Sequence, residues 1–202
     1  MYFFFKRFFD IIFSILILIF FSPILLLISL IILIVDRHNP FFLQKRPGFK
    51  ERFFYIIKFR TMTKDNSNSK YTDVTSQRLT KFGAFLRSTS LDEIPALINI
   101  LLGHMSFVGP RPLLVEYLDI YSEEQKRRHS VMPGLTGLAQ IKGRNNIKWE
   151  DRLNYDIYYA KNKSIFFDLK ILLATVKKVI IRDGINHTKN VTMPLFKGIK
   201  GK

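Results

Sequence analysis

Residues 11–35 read IIFSILILIFFSPILLLISLIILIV, and no charged residue interrupts them. A helix in a soluble domain keeps a polar face, so an apolar run of this length marks a membrane segment. As one straight helix it would be about 37 Å long, against a hydrocarbon core of about 30 Å. Ser22-Pro23 lies at its midpoint. Pro23 has no N–H to donate and its ring presses on the carbonyl of Ile19, while the Ser22 hydroxyl is placed to bond back to Leu18. The segment is either a kinked span or two half-helices that enter and leave by one face, and its residues leave both open. Lys6 and Arg7 before it, and Arg37, Lys45 and Arg46 after it, do not set an orientation. The run is too long for a signal peptide and no small-residue cleavage site follows, so the segment is expected to stay attached.

Charge is unevenly distributed around this segment. The chain of 202 residues has 32 Lys and Arg against 16 Asp and Glu, a formal charge of +16. Residues 1–36 balance Lys6 and Arg7 against Asp10 and Asp36, so the whole excess lies beyond them. Whatever that part meets is anionic: nucleic acid, lipid head groups or phosphorylated substrates. With no cysteine, disulfides and thiolate metal sites are excluded.

Residues 37–202 hold no second stretch long and uncharged enough to span, and read as one domain at the membrane face. In FFLQKRPGFKERFFYIIKFRTM (41–62), aromatic and β-branched runs flank Pro47-Gly48, which predicts a short hairpin. The polar stretch Lys64 to Gln77 predicts a loop. Leu79, Phe82 and Leu86 recur at helical spacing beside Arg78, Lys81 and Arg87. Ser90 to Glu93 matches a capping box, and because Pro95 is tolerated only in a first turn, a helix is expected to start near Asp92. Two Gly- and Pro-punctuated loops follow, GHMSFVGPRP and VMPGLTGLAQIKGRNN, with short helices at Leu113–Tyr121 and Glu123–His129 between them. Trp149–Lys161 and Ile165–Arg182 close the domain as helices, the last capped by Ser164 and stopped by Gly184. This last helix, apolar on a wide face and carrying Lys170, Lys177, Lys178 and Arg182, either lies in the membrane interface or packs on the core.

No P-loop, dinucleotide-binding or nucleophile-elbow motif is present. His38, His104, His129 and His187 lack ligand spacing, which argues against zinc. What remains is a set of cations around two adjacent acids. Arg111 is held between Pro110 and Pro112, with its guanidinium suited to a phosphate. Arg87 lies just before the acid pair, Arg144 sits in GRNN, and Lys58 and Arg60 alternate along a predicted strand and so share a face. Adjacent residues on a helix point about 100° apart, so Asp92 and Glu93 cannot share one proton. They imply two partners, such as a phosphorus atom for one and a metal ion or proton for the other. A helix start among arginines should keep an aspartate ionised, and an ionised aspartate can attack a phosphoryl group. Such chemistry usually recruits Mg²⁺, held by a carboxylate and the substrate phosphates.

The motifs QKRPG (44–48), KFRTM (58–62), SLDEIPALINILLGHMSFVGPRPLLVEYL (90–118), PGLTGLAQIKGRN (133–145) and DLKILLATVKKV (168–179), in this order behind a Ser-Pro-broken apolar segment, resemble the bacterial sugar transferase family. Within it the chain is similar to the small monotopic phosphoglycosyl transferases of the PglC type, over nearly its whole length. The resemblance implies a mainly α fold with a small β-hairpin. It implies a re-entrant membrane helix broken at Ser22 and Pro23 (residues 1–36), and a cytosolic catalytic domain with interfacial amphipathic helices (37–202). The implied activity moves a phosphosugar from a UDP-sugar to undecaprenyl phosphate, releases UMP and uses Mg²⁺, on the cytoplasmic face of the bacterial inner membrane. That is the first membrane step of glycan assembly, with downstream glycosyltransferases as partners and an N-acetylated sugar such as diacetylbacillosamine as cargo. Asp92 matches the family's nucleophile and metal-binding carboxylate, Glu93 its dyad partner and Arg111 the arginine of its Pro-Arg-Pro motif. Lys58, Arg87 and Arg144 match basic positions assigned to phosphate contacts.

The competing expectation is a non-enzymatic, membrane-anchored binder of nucleic acid or anionic lipid, acting by charge alone. It leaves the acid pair and the Pro-Arg-Pro loop without a purpose, and no RNA-binding aromatic motif is present. Nucleic acid is therefore not expected as a partner.

Overall fold

The computed structural model describes residues 1–35, 37–63, 78–143, 147–181, 195, 196 and 198. The predicted loop at 64–77, Arg144, Arg182, Gly184 and His187 lie outside the described residues.

The apolar segment forms one helix, α1 (Tyr2–Val35), with Pro23 inside it. Ser22 Oγ donates to the Ile19 carbonyl at 2.8 Å, not to that of Leu18 as expected. Ile19 is the residue whose carbonyl Pro23 cannot serve, so the hydroxyl supplies the donor that the proline lacks. Length and composition make α1 a helix able to cross a membrane. Most of its surface is exposed, and only Asp10, Ser14, Ile28 and Ile32 are buried.

Both ends of α1 touch the rest of the chain. Near its start, Lys6 pairs with Asp168 at 2.7 Å, Arg7 donates to the carbonyls of Ile100 and Leu101, and Asp10 accepts from the Phe107 amide at 3.1 Å. Near its end, Ile28 and Ile32 pack with Phe59 and Leu86.

The expected hairpin forms from β1 (Phe41–Pro47) and β2 (Phe53–Phe59), antiparallel, with Phe41 opposite Phe59 and Pro47 opposite Phe53. Its turn runs on from Gly48 to Arg52, with Lys50 and Glu51 at positive φ. Phe54 and Ile56 face inward, against Ala96, Leu97, Ile100 and Met105. Asn99 fixes the hairpin against this layer: its side chain accepts from the Ile57 amide at 2.9 Å and donates to the Tyr55 carbonyl at 2.7 Å. The buried amide thus has partners at both ends, as a buried polar group requires.

Helix α2 (Lys81–Ser88) is capped by Thr80, whose side chain accepts from the Gly83 amide at 2.8 Å. Gly83 is needed for contact: a Cβ there would lie 2.0 Å from the Thr61 carbonyl oxygen. A 3₁₀ turn (Leu91–Ala96) leads into α3 (Leu97–Leu101). The two stretches read as loops contain short strands, β3 (Ser106–Val108) and β4 (Gly134–Thr136), which pair in parallel. Three-residue strands carry too little periodicity to be told from loop. Gly109 and Gly134 let them converge, since a Cβ on Gly134 would lie 2.1 Å from the Gly109 nitrogen.

Between these strands come a 3₁₀ stretch (Val115–Ile120), α4 (Glu123–Lys126) with a capping box from Ser122 and Gln125, and a second 3₁₀ stretch (Arg127–Ser130). Then follow α5 (Leu138–Gly143), α6 (Trp149–Asn162) and α7 (Ile165–Ile181). Ser164 caps α7 by accepting from the Phe167 amide at 3.2 Å. On α7 the apolar face is divided, and packing on the core accounts for part of it. Ile171 is fully buried with Val108, Leu138 and Tyr159, while Phe166, Leu169, Leu173 and Val176 form an exposed stripe at helical spacing. The fold is mostly helical with a small antiparallel sheet.

Candidate active site

The acid pair sits on the 3₁₀ turn, and its local geometry differs from a capped α-helix. Pro95 cannot donate the α-type bond to Leu91, so the chain winds tightly until Leu97, where α3 begins. Ser90 takes a left-handed conformation (φ 59°) and its side chain makes no capping bond. The capping box is therefore absent; the Glu93 amide reaches the Ser90 carbonyl instead, at 3.3 Å. Glu93's side chain is directed elsewhere.

Glu93 Oε1 accepts from Lys58 Nζ at 2.6 Å. Arg111 grips the same carboxylate with both arms, Nη1 to Oε2 at 3.2 Å and Nη2 to Oε1. Burial alone would raise the Glu93 pKa, but Arg111 and Lys58 outweigh it and hold the carboxyl well below its usual range. The Lys58 ammonium is shifted down, by burial first and the Arg111 cation second, with Glu93 opposing both. Arg111 is shifted up, chiefly by Glu93.

Asp92 behaves differently, although it is the next residue. On a 3₁₀ turn neighbours point about 120° apart, and among the described residues its carboxylate takes no hydrogen bond or ion pair. Its pKa is pushed up to about 6, by burial first and the Glu93 charge second, against Lys58, Arg111 and Arg87. The surrounding cations do lower it, but burial and the Glu93 charge outweigh them. At pH 7 the carboxylate form still leads by roughly ten to one.

Arg87 reaches the rim of this cluster. Its Nε donates to Thr61 Oγ1 at 2.9 Å, and α2 can bring it there because Gly83 lies against the Thr61 backbone. Its pKa is lowered by burial and raised by the charges of Asp92 and Glu93. Lys58 and Arg60 do not act together: β2 ends at Phe59, and Arg60 turns away to the carbonyls of Asn39 and Phe41. Arg144 is outside the described residues.

A small cleft opens beside Glu93, lined by Arg46, Lys58, Glu93, Arg111 and the apolar Ile56, Met105 and Leu135. Arg46 was not foreseen, yet the register that sets Phe42 opposite Lys58 puts Arg46 and Lys58 on one face of the hairpin. Also unforeseen was a fully buried ion pair, Arg128 with Asp156 at 2.7 Å, since helical spacing does not distinguish a buried charge from a wet one. His129 is buried beside it, with Nδ1 against the Gly48 carbonyl at 3.3 Å. Burial first and Arg128 second push its pKa down to about 4, so it is neutral at pH 7. Among the described residues no group of three or more His, Asp or Glu is placed to hold a metal.

Three cations whose charges act on a carboxylate without a hydrogen-bonded partner suit chemistry on phosphates. A sequence model of the family described as "Bacterial sugar transferase" matches residues 1–182. An uncharacterized sugar transferase of Bacillus subtilis (strain 168), EpsL, is 49% identical over 158 residues, covering 78% of each chain. The UDP-glucose:undecaprenyl-phosphate glucose-1-phosphate transferase of Klebsiella pneumoniae is 44% identical over 187 residues, covering 88% of this chain and 40% of that protein. The undecaprenyl-phosphate galactose phosphotransferase of Salmonella typhimurium (strain LT2) is 44% identical over 107 residues, 53% of this chain and 22% of that one. The chain thus spans less than half the length of these last two relatives. With the family model extending from α1 to the end of α7, the chain belongs to the bacterial sugar transferase family.

Proposed function

We propose that this chain transfers a phosphosugar from a UDP-sugar to undecaprenyl phosphate through a covalent aspartyl intermediate. The observation that carries this reading is the division of labour in the acid pair: Glu93 is fully engaged by Lys58 and Arg111, whereas Asp92 is unpaired and ionised at pH 7.

In the first half-reaction, an Asp92 carboxylate oxygen forms a bond to the β-phosphorus of the donor. The bond from that phosphorus to the oxygen bridging the α-phosphate breaks, and UMP leaves with the electron pair. In the second, an oxygen of the lipid phosphate attacks the same phosphorus, the acyl–phosphate bond breaks and Asp92 is regenerated. Lys58 and Arg111, held ready by Glu93, are the donors that receive the phosphate charge, and Arg87 adds a third cation beside Asp92. Arg144 completes this set by its place in the motif. With Glu93's oxygens occupied, the second oxygen of Asp92 and the donor phosphates are what would hold Mg²⁺, which when bound neutralises phosphate charge on the leaving UMP.

The lipid acceptor accounts for α1, and contacts at both ends of α1 support a re-entrant arrangement broken at Ser22 and Pro23. A straight span would carry one end about 30 Å away across the bilayer, whereas Lys6 and Ile32 both meet the same domain. The exposed stripe of α7 supports a second contact with lipid. The catalytic domain then lies on the cytoplasmic face of the bacterial inner membrane, where nucleotide sugars are available, and its product feeds downstream glycosyltransferases in glycoconjugate assembly. Relatives are named for glucose and galactose transfer, so the donor panel should include those UDP-hexoses beside N-acetylated ones such as UDP-diacetylbacillosamine.

The test is Mg²⁺-dependent release of UMP from such a panel in the presence of undecaprenyl phosphate. Release by the wild type and loss of it in Asp92→Asn, with the fold retained, is expected. Wild-type rates from Asp92→Asn would overturn the assignment.

A further inference from the structure

The Pro110-Arg111-Pro112 segment has an unusual backbone. Two of its three residues lack an N–H, so it cannot bond to itself, and its carbonyls need donors from elsewhere. The Gly134 amide serves the Pro110 carbonyl at 3.0 Å. The Arg111 carbonyl is served by a charged side chain: Arg128 Nη2 donates to it at 2.7 Å. The same guanidinium donates to Asp156 Oδ2 through Nη2 at 2.7 Å and Nε at 3.1 Å. Both partners of this pair are only 2% exposed, and Tyr121 lies against the guanidinium at 5.8 Å.

A buried ion pair is a weak source of stability, because desolvation offsets most of its attraction and apolar residues of similar size often do as well. One whose cation also reaches the backbone of a substrate-binding arginine has a second use. We infer that Arg128 and Asp156 are positioning residues for Arg111. The carboxylate, anchored on α6, fixes the Arg128 fork, and the fork fixes the peptide from which Arg111 projects towards Glu93 and the donor phosphates. The arrangement is specific to an arginine, since a lysine has no planar fork to bridge a carboxylate and a carbonyl. The inference rests on the transferase function proposed above for its kinetic consequence, but its structural half stands without it.

The test uses the full chain in detergent with the pair replaced together, Arg128→Met with Asp156→Leu, so that no lone buried charge remains. Amide exchange of the peptide spanning residues 109–114 and kcat/KM for the UDP-sugar donor are measured beside Tm. Positioning predicts faster exchange in that peptide and kcat/KM lowered roughly 10- to 100-fold, while Tm stays within a few degrees. It also predicts that, in an Arg111→Ala background, the double replacement causes no further loss of UMP affinity. Wild-type exchange and kinetics in the double variant would overturn the inference, as would a full additional loss in the Arg111→Ala background. A wild type inactive with every donor, but with exchange still accelerated in the variant, would overturn the transferase function and uphold the positioning. Should the double variant not fold, Arg128→Lys keeps the charge beside Asp156, loses the fork and is read by the same measurements.

Discussion

Asp92 and Glu93 are adjacent carboxylates pushed in opposite directions, and each direction has a measurable consequence. The Asp92 pKa is raised in the fold, so below about pH 4 the group costs nothing, and the cost appears as pH rises through about 6. Asp92→Asn should therefore stabilise the protein by about 1–3 kcal/mol at pH 7.5, a few degrees in Tm, and not at pH 4, while abolishing turnover. A calorimetric scan at the two pH values checks this. Turnover in the wild type should fall as pH drops through about 6, because the protonated carboxyl is no nucleophile; a pH–rate profile of UMP release reads it directly. Glu93→Gln removes the anion that Lys58 and Arg111 share, and should lower Tm at pH 7 by the equivalent of about 1–3 kcal/mol. An unchanged melting curve would show that the three groups do not depend on one another. Residue identity and spacing made Asp92, Glu93, Lys58 and Arg111 visible as a cluster in the sequence. Their pairing was not visible, because which carboxylate the cations reach depends on a 3₁₀ turn and on Ser90 at positive φ.

Elements with strong periodicity were legible, and those set by distant contacts were not. The apolar α1, the hairpin around Pro47-Gly48, and α6 and α7 follow from runs long enough to show their period. The parallel pairing of β3 and β4 is a contact between residues far apart in the chain, and each strand is too short to announce itself. The capping box at Ser90 failed where the one at Ser122 formed. Pro95 and the pull of Arg111 and Lys58 on Glu93 explain the difference. For α1, the absence of cysteine from the chain makes single-cysteine labelling clean. Phe4→Cys and Arg37→Cys, both at exposed positions, should react with a membrane-impermeant maleimide from the same face of sealed vesicles. Labelling from opposite faces would show that α1 spans.

At the scale of the whole molecule, excess positive charge and exposed apolar helix faces occur together. Lys58 and Arg87 lie on elements that α1 touches directly: Ile28 and Ile32 pack against Phe59 and Leu86, one residue from Lys58 and Arg87 respectively. On the proposed function, a membrane-bound phosphate and a nucleotide diphosphate would meet at Asp92, an encounter that a charge-driven binder would not require. The most direct measurement is intact-protein mass spectrometry of the detergent-solubilised chain, incubated with Mg²⁺ and a panel of UDP-sugars without lipid acceptor. The account predicts a phosphosugar adduct on the wild type with one donor, discharged on adding undecaprenyl phosphate, and none on Asp92→Asn. Release of UMP without any adduct, or an adduct that persists in Asp92→Asn, would contradict it.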